Sequence, residues 1–336
     1  MAGEPERAML GKLPPDMLSQ RVLRWGGAER EDLLVGGGLG EDAALIQWGD
    51  APFLVAASDP IVGATAGAGR LLVHVNANDV ACKGADPAWL IVTLIVPSSP
   101  QGEALGGIAL IEELMREIHE ACAEMGVAVA GGHTELTDRY DRPVLVGTML
   151  GTAKRRLSVD QIQEGDAILV TGHAGIEGMS ILAHDRPDLL SCLSADELEI
   201  VRGWSADLSV IPAARILRGF ARYMHDPTEG GLMGALLEIR RARGLGVALD
   251  VETVPVSPLT ARAAEALGFE PLRLISSGML IAVLSPDDVV AACEDLSRAG
   301  VEARMIGSFI KARGTCDMDM REELWGILAR GRPTVV

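Results

Sequence analysis

Short apolar runs alternate with segments of helical periodicity along the chain, and this alternation limits the protein to layered folds of strands and helices. In the first half, the runs 53–57, 87–96 and 144–150 are bounded by Gly, Asp or Pro, which is typical of buried strands. Between them, 71–84 and 103–125 carry apolar residues at a spacing of three or four, which predicts amphipathic helices. The pattern fits an α/β or an α+β architecture.

The same alternation resumes after a basic, polar stretch at 154–164. Strands are predicted at 167–171, 247–251, 280–284 and 303–309, and helices at 176–184, 206–218 and 230–243. A chain of 336 residues exceeds what one hydrophobic core usually organises. We therefore predict an N-terminal domain over residues 1–153 and a C-terminal domain over residues 154–336.

The charge balance narrows the expected partners. The sequence has 47 acidic and 30 basic side chains, so its formal net charge is −17. An acidic surface of this kind repels nucleic-acid phosphates and anionic lipid head groups. The longest clean apolar run, 89–97, is far shorter than the roughly 20 residues of a membrane helix. Five scattered cysteines without CxxC spacing favour reduced thiols. We expect a cytoplasmic protein that binds neither nucleic acid nor membranes.

Aspartates stand at the ends of several predicted elements in the first half. Asp42 follows the glycine-rich segment 36–40, Asp59 ends a strand, and Asp79 shares a helix face with Asn76. Taken singly, each is best explained as a solvated turn or a helix cap. Taken together, they offer the oxygen ligands that Mg²⁺ prefers, and Mg²⁺ would let an acidic protein bind a nucleotide.

Common nucleotide and metal motifs do not explain these residues. The segment 38–43 fits GxGxxA, but a dinucleotide turn needs a preceding strand and a following helix, and here two carboxylates would face the pyrophosphate. The P-loop pattern GxxxxGK[ST] is absent. His133 and Glu135 would point to the same side of a strand, but a zinc site at them lacks a third ligand.

Two glycine-containing segments complete the candidate features. The strand predicted at 126–130 runs into Gly131 and Gly132, where missing side chains permit a positive φ or the close approach of a ligand. Asp226 precedes a helix that begins with two glycines, so it either caps that helix or points into a cleft.

Six ordered segments carry a resemblance to a known family. They are GEDAA (40–44), Ser58-Asp59, VNANDVACKGADP (75–87), GVAVAGGHT (126–134), DPTEGGL (226–232) and SSGMLIAV (276–283). Their order resembles that of the ATP-dependent aminoimidazole ribonucleotide (AIR) synthetase superfamily, from about Lys12 to about Phe309. The last two segments are most similar to its hydrogenase-maturation (HypE-like) and AIR-synthetase-related branch.

The resemblance implies a two-domain PurM-like fold of the α+β class with α/β-type layers. In that fold the N-terminal sheets of two subunits pair into a barrel across a homodimer, and the C-terminal domain is of the α/β type. The resemblance also implies that ATP, with Mg²⁺, phosphorylates an acceptor oxygen of an amide, a carbonyl or a similar group. The acceptor, either a small molecule or protein-borne, is unidentified.

Site residues follow from the same resemblance. The matching metal ligands are Asp42, Asp59, Asp79 and Asp226, and the matching nucleotide-binding positions are Gly38, Gly40, Asn76, Gly131, Gly132 and Thr134. The candidate catalytic residues are Asp79, His133 and Lys12. His133 replaces the Asp found in many relatives, including the thiamine-phosphate kinases.

The sequence also departs from the family. Hydrogenase-maturation enzymes carry their substrate on a C-terminal cysteine, whereas this sequence ends in RPTVV and its last cysteine is Cys316. We therefore do not expect the reaction to proceed in that branch's way. A catalytic Cys and Lys of the selenophosphate branch are also missing near the N-terminus. Two alternatives stay open: a nucleotide-binding regulator or maturation scaffold without turnover, and an oxidoreductase.

Overall fold

The computed structural model describes residues 11–12, 17, 19–35, 45–46, 48–61, 67–98, 106–312 and 322–330. Gly38, Gly40, Asp42 and Cys316 lie outside these residues, and the predictions for them stay predictions. The chain forms two compact units, one of residues 1–80 and 86–154 and the other of residues 81–85 and 155–336. In the described part, no helix has both the length and the apolar character needed to cross a bilayer.

The first unit is built around a mixed sheet. Its strands are β1 (Gly11–Lys12), β2 (Leu33–Val35), β3 (Leu45–Ile46), β4 (Phe53–Ile61), β5 (Asp86–Pro97), β6 (Ala128–Thr137) and β7 (Val144–Ala153), and its helices are α1 (Ala68–Cys82) and α2 (Gly107–Met125). Five strands lie in the order β1-β6-β5-β7-β4. The β5–β6 pair is parallel and the other neighbours are antiparallel, while β2 and β3 pair separately.

The two helices pack on one face of this sheet because their apolar residues recur at helical spacing. Helix α2 buries Leu110, Ile111, Leu114 and Ile118, and each such side chain stabilises the fold by about 1.5–3 kcal/mol. The helix ends at Gly126, whose φ of 73° lets its N–H reach the carbonyl oxygens of Cys122 and Ala123.

The opposite face of the sheet is more open. Along β5, Leu90, Val92 and Leu94 are buried, whereas Ile91, which points to the other side, is 37% exposed. Strands β2 and β3 cover one end of the open face, where Leu33 and Ile46 pack against Trp89. Burial alternates along β7 and along the second half of β5, so these strands, which were predicted to be buried, are buried on one face only.

The second unit has an antiparallel sheet with helices packed against it. Its strands are β8 (Ala167–Thr171), β9 (Tyr223–His225), β10 (Leu245–Leu249), β11 (Leu280–Leu284) and β12 (Ala303–Lys311). Its helices are α3 (Ile176–Asp185), α4 (Ala195–Gly203), α5 (Ile211–Leu217), α6 (Gly231–Arg243), α7 (Pro258–Leu267), α8 (Val289–Arg298) and α9 (Glu323–Leu328). The strand order is β10-β12-β8-β11-β9.

Every strand pair of this second sheet is antiparallel, which confirms the overall α+β class. The C-terminal domain is therefore not of the α/β type that the resemblance implied, since that type is built on a mostly parallel sheet. Strands β8 and β11 are buried at every position, which explains their continuous apolar sequences. The helix predicted at 206–218 is wrong in its extent. A 3₁₀ turn ends at Ala206, and α5 begins at Ile211 with Pro212 in its first turn, where a proline is tolerated.

One buried histidine makes the first unit sensitive to acid. His74 on α1 is 3% exposed, and neither ring nitrogen has a hydrogen-bond partner among the described residues. Burial, assisted by the nearby Arg70 cation, lowers the pKa of His74 from 6.5 to about 4. The folded protein therefore keeps this imidazole neutral at pH values where the unfolded chain binds a proton.

We expect His74 to reduce stability as the pH falls from about 6.5 to about 4. At about pH 5 its contribution is a loss of about 2 kcal/mol in the free energy of unfolding, relative to about pH 7.5. Urea unfolding of wild type and His74→Leu at both pH values measures this, because the difference between the proteins cancels every other titrating group. Equal losses in the two proteins would contradict the prediction.

Candidate active site

Asp59 lies on β4, which forms an edge of the first sheet. Edge strands have outward N–H and C=O groups without a strand partner. Asn76 on α1 supplies that partner: its Oδ1 accepts the Asp59 N–H at 2.9 Å, and its Nδ2 donates to the Asp59 carbonyl oxygen at 3.4 Å. The side chain of Asn76 thus takes the place of a neighbouring strand and fixes the backbone at Asp59.

The rest of the Asn76 amide is also engaged. Its Nδ2 donates to the Leu72 carbonyl oxygen at 2.9 Å, and the side chain is fully buried. It lies over Gly147 on β7, where an added Cβ would come within 2.7 Å of Nδ2. The geometry thus assigns Asn76 a role in positioning Asp59, and its predicted contact with a nucleotide stays a prediction.

The carboxylate of Asp59 is well suited to a cation. It is partly buried and forms no hydrogen bond or ion pair with the residues that the structure describes. Asp79 lies one helical turn beyond Asn76 and is also partly buried. Carboxylate oxygens are the donors that Mg²⁺ requires. Within the described ranges, no three His, Cys, Asp or Glu side chains form a group that could hold a metal on their own.

Gly131 and Gly132 belong to β6, which continues through them. The register against β5 shifts between Val129 and Gly131, so that Ala130 is an extra residue in a β-bulge. At Gly132 φ is 153°, and an added Cβ would lie 1.8 Å from the Val92 carbonyl oxygen. Position 132 therefore requires a glycine because the backbone of β5 passes so close to it.

The two ends of the predicted site lie on different parts of the sheet. Asp59 on β4 is level with Gly147 on β7, Gly147 with Val92 on β5, and Val92 with Gly132 on β6. Three strand spacings, or roughly 14 Å, therefore separate Asp59 from Gly132. His133 is on the opposite face from Asp59, the same face as Ile91. Its Nε2 lies 3.4 Å from Glu135, and both side chains are about half exposed.

Lys12 lies at the far edge of the same sheet. Its backbone pairs with Glu135, so about four strand spacings, or roughly 19 Å, separate it from Asp59 on β4. Within one chain, these elements do not bring Lys12 together with the Asp59 carboxylate.

In the second unit, Asp226 follows β9 and is 1% exposed. Its Oδ1 accepts a hydrogen bond from the Cys82 thiol, with Sγ 3.6 Å away. Asp226 does not cap α6 with its side chain, since the N-cap residue of that helix is Gly230. The alternative of a simple N-cap is therefore wrong.

Sequence reasoning missed a buried carboxyl group beside this segment. Glu177, in the first turn of α3, accepts the Ser277 N–H at 3.2 Å. Burial, with the neighbouring Asp226 and Glu322 carboxylates adding to it, raises the pKa of Glu177 from 4.5 to about 7. The signal was a single charged residue within the otherwise apolar run AGIEGMSILA, at the positive end of a helix.

Family comparison covers both units. The family model "AIR synthase related protein, N-terminal domain" matches residues 40–153, and the model of the C-terminal domain matches residues 163–317. Two consecutive α+β units with these matches define a two-domain PurM-like protein. The chain belongs to the AIR synthase related family, in its HypE-like branch.

Individual relatives agree with this assignment. Carbamoyl dehydratase HypE of Rhizobium leguminosarum bv. viciae is 30% identical over 250 residues, which cover 72% of this chain and 68% of the relative. HypE of Cupriavidus necator is 31% identical over 266 residues, 77% of this chain and 72% of the relative. A crystal structure of hydrogenase maturation protein HypE in complex with ATP superimposes with a TM-score of 0.72 and 25% identity, covering 89% of this chain and 86% of that one.

The bulge on β6 gives a stability prediction with an internal control. Gly132→Ala should lower the free energy of unfolding by at least about 2 kcal/mol, because both the backbone conformation and the Val92 carbonyl exclude a Cβ. Gly131→Ala, with no atom within 4 Å of the added Cβ, should change it by less than about 0.5 kcal/mol. Urea unfolding of both variants checks this, and equal effects would contradict the close approach.

Proposed function

We propose that the protein is a Mg²⁺-dependent enzyme that uses ATP to phosphorylate an acceptor oxygen, in an amide, a carbonyl or a similar group. The observation that carries this proposal is the similarity to HypE in complex with ATP, which extends over 89% of the chain. The relatives named carbamoyl dehydratase act on a carbamoyl group, which favours an amide oxygen as the acceptor. Free thiols at Cys82 and Cys122 are compatible with a cytoplasmic location.

The chemistry requires positioning and charge neutralisation more than covalent help from the protein. The acceptor oxygen attacks the γ-phosphorus, the bond to the β–γ bridging oxygen breaks, and ADP leaves. The phosphorylated oxygen is then a good leaving group for a later elimination or substitution. Bound Mg²⁺ would supply positive charge at the phosphates. The chain's own part is to hold carboxylates, backbone N–H groups and the acceptor in a fixed arrangement.

The residues are assigned as follows. Asp59 and Asp79 hold Mg²⁺ in the first unit, and the Asn76 amide keeps the Asp59 backbone in place. Asp42 and, in the second unit, Asp226 are further proposed metal ligands. Proposed nucleotide contacts are made by Gly38, Gly40, Asn76, Gly131, Gly132 and Thr134, and His133 and Lys12 are proposed to act at the transferring phosphoryl group.

We also propose a homodimer formed through the open face of the first sheet. In the described part of the chain, apolar side chains on this face are exposed or half exposed: Leu54, Ala56, Ile91, Ile95, Val144, Val146 and Leu150. A sheet face with this many exposed apolar side chains is typical of an interface. His133 lies on the same face, so a second copy paired there would face this side chain.

ATP with Mg²⁺ should raise the melting temperature, because a ligand that binds only the folded state stabilises it. At a free concentration of 100 times Kd the stabilisation is about 2.7 kcal/mol. Asp59→Asn and Asp79→Asn should lose most of this response, whereas Asp160→Asn, a surface carboxylate paired with Arg156, should keep it. Thermal unfolding with and without Mg²⁺ measures the effect, and an unchanged response in both site variants would exclude the assignment.

ADP release with amide-containing acceptors then separates an enzyme from the alternative, a nucleotide-binding regulator or maturation scaffold. Turnover above the rate without acceptor supports the enzyme. MgATP binding without ADP release across the acceptors and co-expressed partner proteins supports the alternative.

The dimer is tested by charge placed on the open face. Wild type should have the mass of two chains in light scattering, and Ile91→Lys should shift it towards one chain, because a buried unpaired ammonium is costly. Val290→Lys, at a 68% exposed apolar position on α8 of the second unit, is the control and should stay dimeric. A monomeric wild type would refute the proposed interface.

A further inference from the structure

Glu322, which immediately precedes α9, connects three segments of the second unit through one carboxylate. Its Oε1 accepts the N–H groups of Ile275 at 3.1 Å and of Leu324 at 2.8 Å, and its Oε2 accepts the N–H of Gly230. The bond to Leu324 caps α9. The other two bonds reach the DPTEGGL segment (226–232) and the loop that leads into SSGML (276–280).

This carboxylate is itself firmly anchored. Leu324 and Ile327 of α9 are buried in a hydrophobic cluster with Met179 and Leu182 of α3. Arg186 donates from one Nη1 to the carbonyl oxygens of Leu328 at 3.1 Å and Arg330 at 2.7 Å. The buried Leu324 and Ile327 therefore hold Glu322 in place, whereas the Arg186 bonds fasten only the far end of α9 and the residues after it. Glu322 can transmit its position to the backbone groups it binds.

The DPTEGGL segment is fixed at both ends. On its N-terminal side, His225 pairs with Ile281 across the β9–β11 ladder. Directly after Asp226, the Pro227 carbonyl accepts the Ser276 N–H at 3.1 Å. Nearer the C-terminal end of the segment, the Gly230 N–H is bound by Glu322. The N-cap residue of α6 is Gly230, with a φ of 80° that favours glycine. Because it is a glycine, it has no side chain with which to cap the helix. Glu322 accepts the N–H of the N-cap residue itself, the bond that the Glu of a capping box makes, and does so from a distant part of the chain.

The placement of this charge has a cost that a purely apolar contact would avoid. Burial raises the pKa of Glu322. The carboxylates of Glu322 and Asp226 both lie close enough to Glu177 to disfavour ionisation of Glu177. Burying the Glu322 carboxylate costs free energy, and its hydrogen bonds from three backbone N–H groups offset that cost. Of its two distant partners, Gly230 lies in the segment that contains Asp226, and Ile275 precedes Ser276, whose N–H binds the Pro227 carbonyl next to Asp226.

We propose that Glu322 is a positioning residue for Asp226. By binding Gly230 and Ile275 together, it holds the DPTEGGL segment so that the Asp226 carboxylate has one defined position for Mg²⁺ and ATP. This role rests on the proposed function, since it concerns Asp226 as a ligand of the proposed site. Residue 322 lies beyond the 163–317 segment that matches the C-terminal family model.

The first test asks whether the connection exists, without any nucleotide. Backbone hydrogen exchange is measured in full-length wild type, Glu322→Ala, Glu322→Gln and Arg186→Ala. The amides of Gly230 and Ile275 should exchange about tenfold faster or more in Glu322→Ala, because a charge-assisted hydrogen bond is lost. Glu322→Gln keeps one acceptor oxygen and should lie between. Arg186→Ala removes only the hydrogen bonds to the carbonyl oxygens of Leu328 and Arg330, and should leave the Gly230 and Ile275 amides protected.

The second test asks whether the connection matters for the site. The Mg²⁺ concentration that gives half of the ATP-induced rise in melting temperature should increase about tenfold in Glu322→Ala, the size of effect expected for a residue that orients a metal ligand. Glu322→Gln should recover part of the change, and Arg186→Ala should match wild type after correction for its own stability. An equal increase in Glu322→Ala and Arg186→Ala would reduce Glu322 to a structural residue and overturn the proposal.

Failure of the proposed function gives a different pattern. If wild type shows no response to MgATP, both the function and the positioning role are refuted, even where hydrogen exchange finds the connection intact. If wild type responds and Glu322→Ala responds at the same Mg²⁺ concentration, only the role of Glu322 is refuted.

Discussion

Backbone N–H groups left without a partner along a sheet edge, at helix ends and in loops are the constraint on which this structure depends. A buried N–H without an acceptor is costly, and here side-chain oxygens from distant elements supply the acceptors. The pairs are Asn76 with Asp59, Glu117 with Gly69, Glu177 with Ser277, and Glu322 with Gly230 and Ile275. Each of these bonds joins two elements that are separated in sequence, so it fixes tertiary geometry as well as satisfying a donor.

Acidity has two distinct roles in this protein. Some acidic side chains lie on the surface in ion pairs, such as Glu113 and Glu120 with Arg116. Glu117, Glu177 and Glu322 are different, because burial raises the pKa of each and each accepts backbone N–H groups. In these three residues a carboxylate serves as a bridge between segments of the main chain, a role that composition alone does not reveal.

Long apolar runs with clear boundaries were predictable from sequence, whereas short polar helices were not. The strands at 167–171 and 280–284 were predicted to the residue, because strands buried on both faces leave a continuous apolar signature. Helix α4 was missed although Ser194 and Glu197 form a capping box, since only Val201 in it is buried and its apolar periodicity is weak. The sequence sign of α4 was therefore its capping box, Ser194 and Glu197, and not a periodic pattern of apolar residues.

For the candidate site, sequence order identified the segments but not their geometry. The conformation of Gly132 and the edge position of Asp59 depend on strand pairings between residues far apart in the chain, which local patterns do not encode. Glu322 carries no local sign of its partners at all, because Gly230 and Ile275 are 92 and 47 residues away.

The extra residue at Ala130 has a consequence for the whole C-terminal half of β6. Side chains along a strand alternate between faces, so one inserted residue exchanges inside and outside for every residue that follows. Without the bulge, Leu94 and not Thr93 would pair with His133, which would turn the imidazole towards the helices and Thr134 towards the open face. A single alanine thus determines which side of the sheet presents a titratable ring and which presents a hydroxyl.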